Sequence, residues 1–201
     1  MKIFNTLRRR KPGAKRMTKN YESPVGTLII KASAGFITEI KFAMEEQTPL
    51  GSDNTEKNRQ SVGTFGEGEG TFTPFAPEAE ECDEHAVLQQ CARELDAYFA
   101  GELRRFTVPI CAKGTPFRER VWGELCKIPY GEKISYKELA VRAGNPAAVR
   151  AVGGANHHNP VNIIIPCHRV IGANGSLTGY GGGLERKKFL LELEHGAPIA
   201  H

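Results

Sequence analysis

Three helix-start signals stand close together in the second half of the chain and leave little freedom over its architecture. Thr115-Pro116 sets a capping hydroxyl before a proline at the first helical position, Ser135 and Glu138 in SYKELA have capping-box spacing, and Asn145-Pro146 caps a further run, PAAVRAVGGAN. Behind the first signal, Phe117, Val121, Trp122 and Leu125 form an apolar stripe at helical spacing. The second helix ends near Gly144, so two short helices follow one another across a tight glycine-containing turn. A second helix so rich in small residues completes the pattern of a helix-turn-helix, which can enter a DNA groove.

The first half reads differently. Ser23-Pro-Val-Gly26 is a turn, and 27–31 and 36–42 are strands of a hairpin around Ala34-Gly35. In the second strand Phe36, Ile40 and Phe42 alternate with Ile37, Glu39 and Lys41. Residues 43–84 are acidic and rich in Gly, Thr, Ser and Pro, which predicts a long flexible loop at about 44–84. Leu88, Cys91, Leu95, Tyr98 and Phe99 share one helical face, Gly101 stops that helix, and Phe106, Val108 and Ile110 alternate as a strand would. The expected organisation is a basic tail over 1–20, an α/β to α+β domain over 21–110 and a mostly helical domain over 115–201.

Charge and cysteine usage narrow the function classes. Residues 1–20 hold eight Lys or Arg and no acid, yet lack the apolar core and cleavage site of a secretory signal. Residues 21–114 carry sixteen acids against eight bases, and 115–201 eleven bases against seven acids, so a polyanion partner belongs to the C-terminal half. No apolar run reaches the length of a membrane span. Five widely spaced cysteines suit reduced thiols in the cytoplasm, or the nucleus of a eukaryote. Cys82, His85 and Cys91 lack a clear fourth ligand, so no metal site is expected.

The chemistry gathers in NPVNIIIPCHRV, where an isoleucine run, read as a strand, is stopped by Pro166 and followed at once by Cys167 and His168. Cysteine is a nucleophile as the thiolate, with a free pKa of about 8.5, and needs a base or a positive field that His168 and Arg169 could supply. Neighbours in a strand point to opposite faces, so an abrupt turn is required to bring His168 toward the thiol.

Here the chain resembles the O6-alkylguanine-DNA alkyltransferases, also called methylated-DNA-protein-cysteine methyltransferases, whose acceptor motif Pro-Cys-His-Arg-Val matches Pro166 to Val170. The likeness runs on through GTPF, RVW, IPYGE, SY.ELA, RAVGGAN and LTGY.GGLE.K..LL.LE over nearly all of 114–194. It implies a small ribonuclease-H-like α/β domain ahead of the helix-turn-helix domain, no cofactor, and repair of duplex DNA by irreversible transfer of an alkyl group from O6-alkylguanine to Cys167 after base flipping. O4-alkylthymine stays open as a second substrate, and a monomer without an obligatory protein partner or membrane is expected.

By the same resemblance Arg150 takes the place of the extruded guanine in the base stack. Tyr136 crowds the phosphate and assists the leaving base, while Ala147, Ala148, Ala151, Gly153 and Gly154 let the helix approach the minor groove. Asn159 braces the turn before the acceptor, His168 receives the thiol proton through a water, and Glu194 orients the imidazole. Pro166, Val170, Tyr180 and Gly181 line the alkyl pocket. Two positions depart from the family pattern: Gly181, where Ala or Ser is usual, predicts a wider pocket, and His157-His158 replaces a fixed charge, predicting DNA binding that strengthens as pH falls. The alternative functions are a damage sensor without efficient transfer, which the retained Cys167 opposes, a Cys-His hydrolase, and a sequence-specific regulator.

Overall fold

The computed structural model describes residues 16–43, the backbone of 70–72, and residues 83–196. β1 (Arg16–Tyr21), β2 (Leu28–Ser33) and β3 (Phe36–Phe42) form an antiparallel sheet in chain order. The first connection turns at Gly26, whose N–H donates to Ser23 O at 2.9 Å. The second is the Ala34-Gly35 turn, with both residues at positive φ (55° and 74°), as a tight hairpin between right-twisted strands requires. The sheet starts at Arg16, inside the stretch expected as basic tail; its largely exposed side chains suit an edge strand.

The simple alternation expected in β3 fails, because a bulge between Lys31 and Ala32 pairs Ala32 with Ile37 and Ile30 with Ile40. Thr38 is the extra residue, and its hydroxyl donates to Lys31 O at 3.2 Å. Ile37 and Ile40 therefore both face the core.

α1 (Glu84–Phe99) starts at Asp83, whose carboxylate accepts from His85 N at 3.2 Å, and lays Leu88, Cys91, Leu95 and Tyr98 on the sheet. Cys91 is in that core while His85 is exposed, and Cys82 lies outside the described residues. No group of three His, Cys, Asp or Glu among the described residues is placed to hold a metal ion. Phe106, Val108 and Ile110 are buried, but they form no strand: the segment touches β3 through one bridge, Ile37 to Ile110. β5 (Ala112–Gly114) pairs antiparallel with β4 (Gly70–Phe72), so a short piece of the expected acidic loop is a strand; the expected mobility falls on residues outside those described.

The second half opens on α2 (Pro116–Leu125), capped by Thr115 and buried along Val121, Trp122 and Leu125. β6 (Ile134–Ser135) leads into α3 (Tyr136–Arg142), where the Ser135 hydroxyl accepts from Glu138 N at 3.0 Å. The reciprocal half of the box is replaced by a Glu138–Arg142 pair at 2.6 Å. α4 (Val149–His157) starts later than expected because Asn145 Oδ1 accepts from Ala147 N at 3.1 Å, forming a turn of its own first. Trp122 Nε1 donates to Ala155 O at 2.9 Å and pins α4 to α2. β7 (Val170–Ile171) pairs parallel with β6, and α5 (Leu184–Glu194) follows. None of the described helices is long and apolar enough to cross a membrane.

The fold is a mixed α/β chain: an N-terminal sheet-and-helix domain and a C-terminal helical domain with a helix-turn-helix. The two are sewn together at β3, where Ile40 N donates to Pro160 O at 2.9 Å and Asn162 N donates to Ile40 O at 3.0 Å. That seam holds the segment that carries the cysteine.

Candidate active site

The isoleucine run is not a strand. Asn162 to Ile165 turn back on themselves, Ile163 has φ 73°, and Ile165 N donates to Val161 O at 3.0 Å. A β-branched residue in the left-handed region costs on the order of 1–3 kcal/mol and persists only where its surroundings over-determine it. Burial of all three isoleucines and the β3 seam supply that determination. A 3₁₀ turn, Cys167–Arg169, follows, so Cys167 and His168 do not alternate as strand neighbours would.

Cys167 is buried, with Asn159 Nδ2 donating to its Sγ at 3.0 Å and to Ile165 O at 2.7 Å. Asn156, the last buried residue of α4, donates from Nδ2 to Cys167 O at 3.2 Å. Burial pushes the thiol up to about 11, against the pull of the Asn159 hydrogen bond and the Lys187 charge. The sulfur at neutral pH is a thiol, and its attack requires a base.

His168 is fully buried, and its Nε2 lies 2.8 Å from Glu194 Oε1. Glu194 also accepts from Tyr98 Oη (2.8 Å), Arg169 Nε (2.8 Å) and Nη2 (2.9 Å), and Gly131 N (3.2 Å). Burial raises that carboxyl, but hydrogen bonds and charge from His168 and Arg169 outweigh it and hold the group far below the usual carboxylate range. An ionised carboxylate only accepts, so Nε2 carries the imidazole proton. Nδ1, buried without a hydrogen-bond partner, is left as the acceptor atom. Burial lowers the histidine below its ordinary value, against the pull of Glu194, so the ring is neutral and able to take a proton. Arg169, considered a source of field for the thiol, is instead committed to Glu194 and to Ile128 O at 2.6 Å.

Pro166 and Val170, which flank the 3₁₀ turn in sequence, are buried, as is Tyr180. Tyr136, at the start of α3, donates its hydroxyl to Thr178 O (3.1 Å) and Gly179 O (3.2 Å), so it is tied to the pocket loop. On the outer face of α4 and the turn before it, Ala147, Arg150, Ala151 and Gly154 are exposed, and Ala148 and Gly153 are half-buried. A side chain at Gly153 or Gly154 would meet nothing within 4 Å, so these glycines do not serve packing within the protein. They keep the outward face low.

The three glycines after Tyr180 differ in kind. A Cβ at Gly182 would overlap the Phe42 ring, and Gly183 has φ 89°. A Cβ at Gly181 would sit 3.6 Å from His157 O and 3.8 Å from His157 Nδ1, ordinary contact distances. His157 therefore flanks Gly181, and His158 Nδ1 lies 2.7 Å from Gly154 O as a cap on the end of α4. Gly181→Ser should fold with a melting temperature within a degree or two of the wild type, on the order of 0.5 kcal/mol; a larger loss in a thermal melt would show that His157 cannot give way there.

Two family profiles cover this arrangement: "6-O-methylguanine DNA methyltransferase, ribonuclease-like domain" over residues 18–112, and "6-O-methylguanine DNA methyltransferase, DNA binding domain" over 116–196. The chain belongs to the 6-O-methylguanine DNA methyltransferase family. Curated relatives named methylated-DNA–protein-cysteine methyltransferase are 42% identical in Mycobacterium leprae, over 88% of this chain and 90% of that one, and 42% identical in Haemophilus influenzae, over 87% and 83%. A Mycobacterium tuberculosis relative matches at 62% over a shorter stretch, 50% of this chain and 61% of its own length. The crystal structure of M. tuberculosis O6-methylguanine methyltransferase superposes with TM-score 0.67 at 39% identity, covering 93% of this chain and 97% of the other. That of M. tuberculosis OGT in complex with DNA does so with TM-score 0.67 at 40% identity, over 90% and 93%.

Three residues to which the sequence gives no role also hold this site together. Lys187 is fully buried, donates to Val170 O (2.6 Å) and Thr178 O (2.7 Å), and is pushed down to about 8 by burial. Its signal was present, since Lys187 falls at helical spacing with Leu190, Leu191 and Glu194 on the buried stripe of α5. Tyr98 was legible only as a core aromatic, and Asn156 only as a helix-end residue. Neither has a local pattern that announces its partner.

Proposed function

We propose that Cys167 is the acceptor and that this protein repairs DNA by taking the alkyl group of a flipped O6-alkylguanine onto its sulfur, once per molecule. The chain is a DNA-binding transferase of direct repair, and its chemistry is alkyl transfer from DNA to a protein cysteine. One observation carries the assignment to Cys167. Its sulfur is held by Asn159, one residue from a neutral imidazole whose Nε2 is fixed on Glu194 while Nδ1 has no partner.

In the proposed reaction the S–C bond forms as the C–O6 bond breaks, in line at an sp³ carbon. The thiol proton passes to His168 Nδ1, directly or across one water, and Glu194 stabilises the imidazolium. The purine departs as the guanine anion and takes its proton from the Tyr136 hydroxyl once that group lets go of the 178–179 backbone, the phenolate recovering a proton from water. A thioether has no carbonyl for water to attack, so the molecule is spent. This separates the reading from a Cys-His hydrolase, which would turn over. The damage sensor is not favoured, because its defining loss of the acceptor has not occurred here.

The exposed face of α4, with Arg150 near its start and small residues along it, supports entry into the minor groove and insertion of Arg150 in place of the extruded base. Duplex DNA bearing radiolabelled O6-methylguanine should leave one equivalent of label on the peptide containing Cys167; turnover, or label elsewhere, refutes the assignment. Arg150→Ala should slow transfer from duplex DNA at least tenfold and leave the reaction with free O6-benzylguanine within twofold. Equal losses on both substrates would place Arg150 outside base extrusion. A monomer accompanies this proposal, as does a cytoplasmic location, the latter in keeping with the bacterial relatives.

A further inference from the structure

The loop from Thr178 to Gly183, which leads into α5, contains four glycines, three of them outside any helix cap, and would be mobile if left to itself. Its inner half is held by Tyr136 and Lys187, both within the C-terminal domain. Its outer half is held from the other domain. Arg186, in the first turn of α5, donates from Nε to Val25 O at 2.7 Å in the β1–β2 turn, and from Nη1 to Gly182 O at 3.0 Å. Its guanidinium lies over the Phe42 ring, 4.9 Å from the centroid. Phe42, the last residue of β3, meets Tyr180 edge-on at 6.1 Å and fills the space against Gly182 that a side chain there would need. Gly26 completes the fit, because a Cβ on it would come within 3.1 Å of Arg186 Nη2.

We infer that Arg186 and Phe42 are positioning residues for alkyl transfer: a strut by which the N-terminal domain sets the place of Gly182 and Tyr180 over the pocket. The contacts that make the strut join Val25, Phe42, Tyr180, Gly182 and Arg186. Their effect runs through the loop alone, and a loop held in the reactive geometry lowers the barrier without adding affinity for DNA. The strut gives the N-terminal domain a second hold on the site, beside the Tyr98 hydroxyl on Glu194. The inference rests on Cys167 being the acceptor.

Because each molecule reacts once, two readouts separate. The end-point of label counts folded, competent molecules, and the single-turnover rate constant reports the geometry in those molecules. Arg186→Ala and Phe42→Ala, as full-length proteins with excess duplex O6-methylguanine DNA, should each lower the rate constant about tenfold. The DNA concentration for half-maximal rate should stay within twofold. Arg186→Lys, which keeps the charge over Phe42 and one donor, should recover part of the rate, and Phe42→Leu should recover less than Phe42→Tyr. The double variant should be no slower than the slower single one, as for groups acting as one unit. A reduced end-point with an unchanged rate constant, in the alanine or the conservative variants, would mean that the strut serves stability alone and would overturn the inference. So would a loss confined to the half-maximal concentration. Mapping of the wild-type label to a peptide other than Cys167 would instead overturn the assignment on which the inference rests.

Discussion

Cys167→Ala should abolish labelling by O6-alkylguanine DNA while leaving the fold and DNA binding in place. No other described cysteine stands beside an imidazole aligned on a carboxylate, and burial pushes the Cys91 and Cys126 thiols up to about 12. The turn should survive, since Asn159 keeps its 2.7 Å bond to Ile165 O and its Oδ1 still accepts from Val161 N at 3.0 Å. Losing one sulfur from a packed site costs on the order of 1–2 kcal/mol. Gel-shift affinity for duplex DNA should stay within threefold, because α4 presents its outer face independently of the sulfur. Residual label in the variant would place the acceptor elsewhere.

Glu194→Ala should be the most damaging single change to the fold. It removes the acceptor for five donors and leaves the Arg169 guanidinium, 7% exposed, with Ile128 O and the Tyr130 ring but without a counter-charge. Breaking a buried ion pair from one side costs about 3–5 kcal/mol, enough to move the melting temperature by many degrees. Glu194→Gln keeps the shape and two acceptor sites, so it should fold better than the alanine variant yet transfer slowly, its imidazolium no longer compensated.

The same residue sets the acid limb. The folded pKa of Glu194 lies below its unfolded value, so its stabilisation is present above the usual carboxylate range and is lost as pH falls through that range. His168 is also lowered, and its contribution begins to fade as pH drops below about 6.5. Wild-type stability should therefore fall between about pH 6.5 and 3, and Glu194→Gln should show a shallower decline. Parallel urea midpoints of the two proteins across that range would refute the linkage to Glu194.

Much of this protein is written locally. Capping by Thr115 and Ser135, the hairpin around Ala34-Gly35, the stripe of α1 and the Cys-His dipeptide are all decided within a few residues. A hydroxyl bonding an N–H three positions on, or a turn at positive φ, needs nothing distant to specify it. The boundaries that were misplaced, at Asn145 and at the isoleucine run, are places where a local bond or a tertiary seam won over pattern. Asn145 turned its own backbone, and Ile163 was forced left-handed where Ile40 fastened Pro160 O and the Asn162 N–H on either side of Val161.

What the tertiary structure alone decided is the wiring of the site. Glu194 could be named from its motif, but its bonds to Tyr98 and Arg169 join residues far apart in sequence, and no spacing rule predicts which buried donor meets which acceptor. Arg169 was legible as a charge and not as that carboxylate's partner. Phe42 and Arg186 read as a strand-end aromatic and a helix charge, and they meet only because the end of β3 and the first turn of α5 come together in the fold. Secondary structure follows from neighbours in the chain, whereas the proton path and the strut follow from neighbours in space, which folding creates.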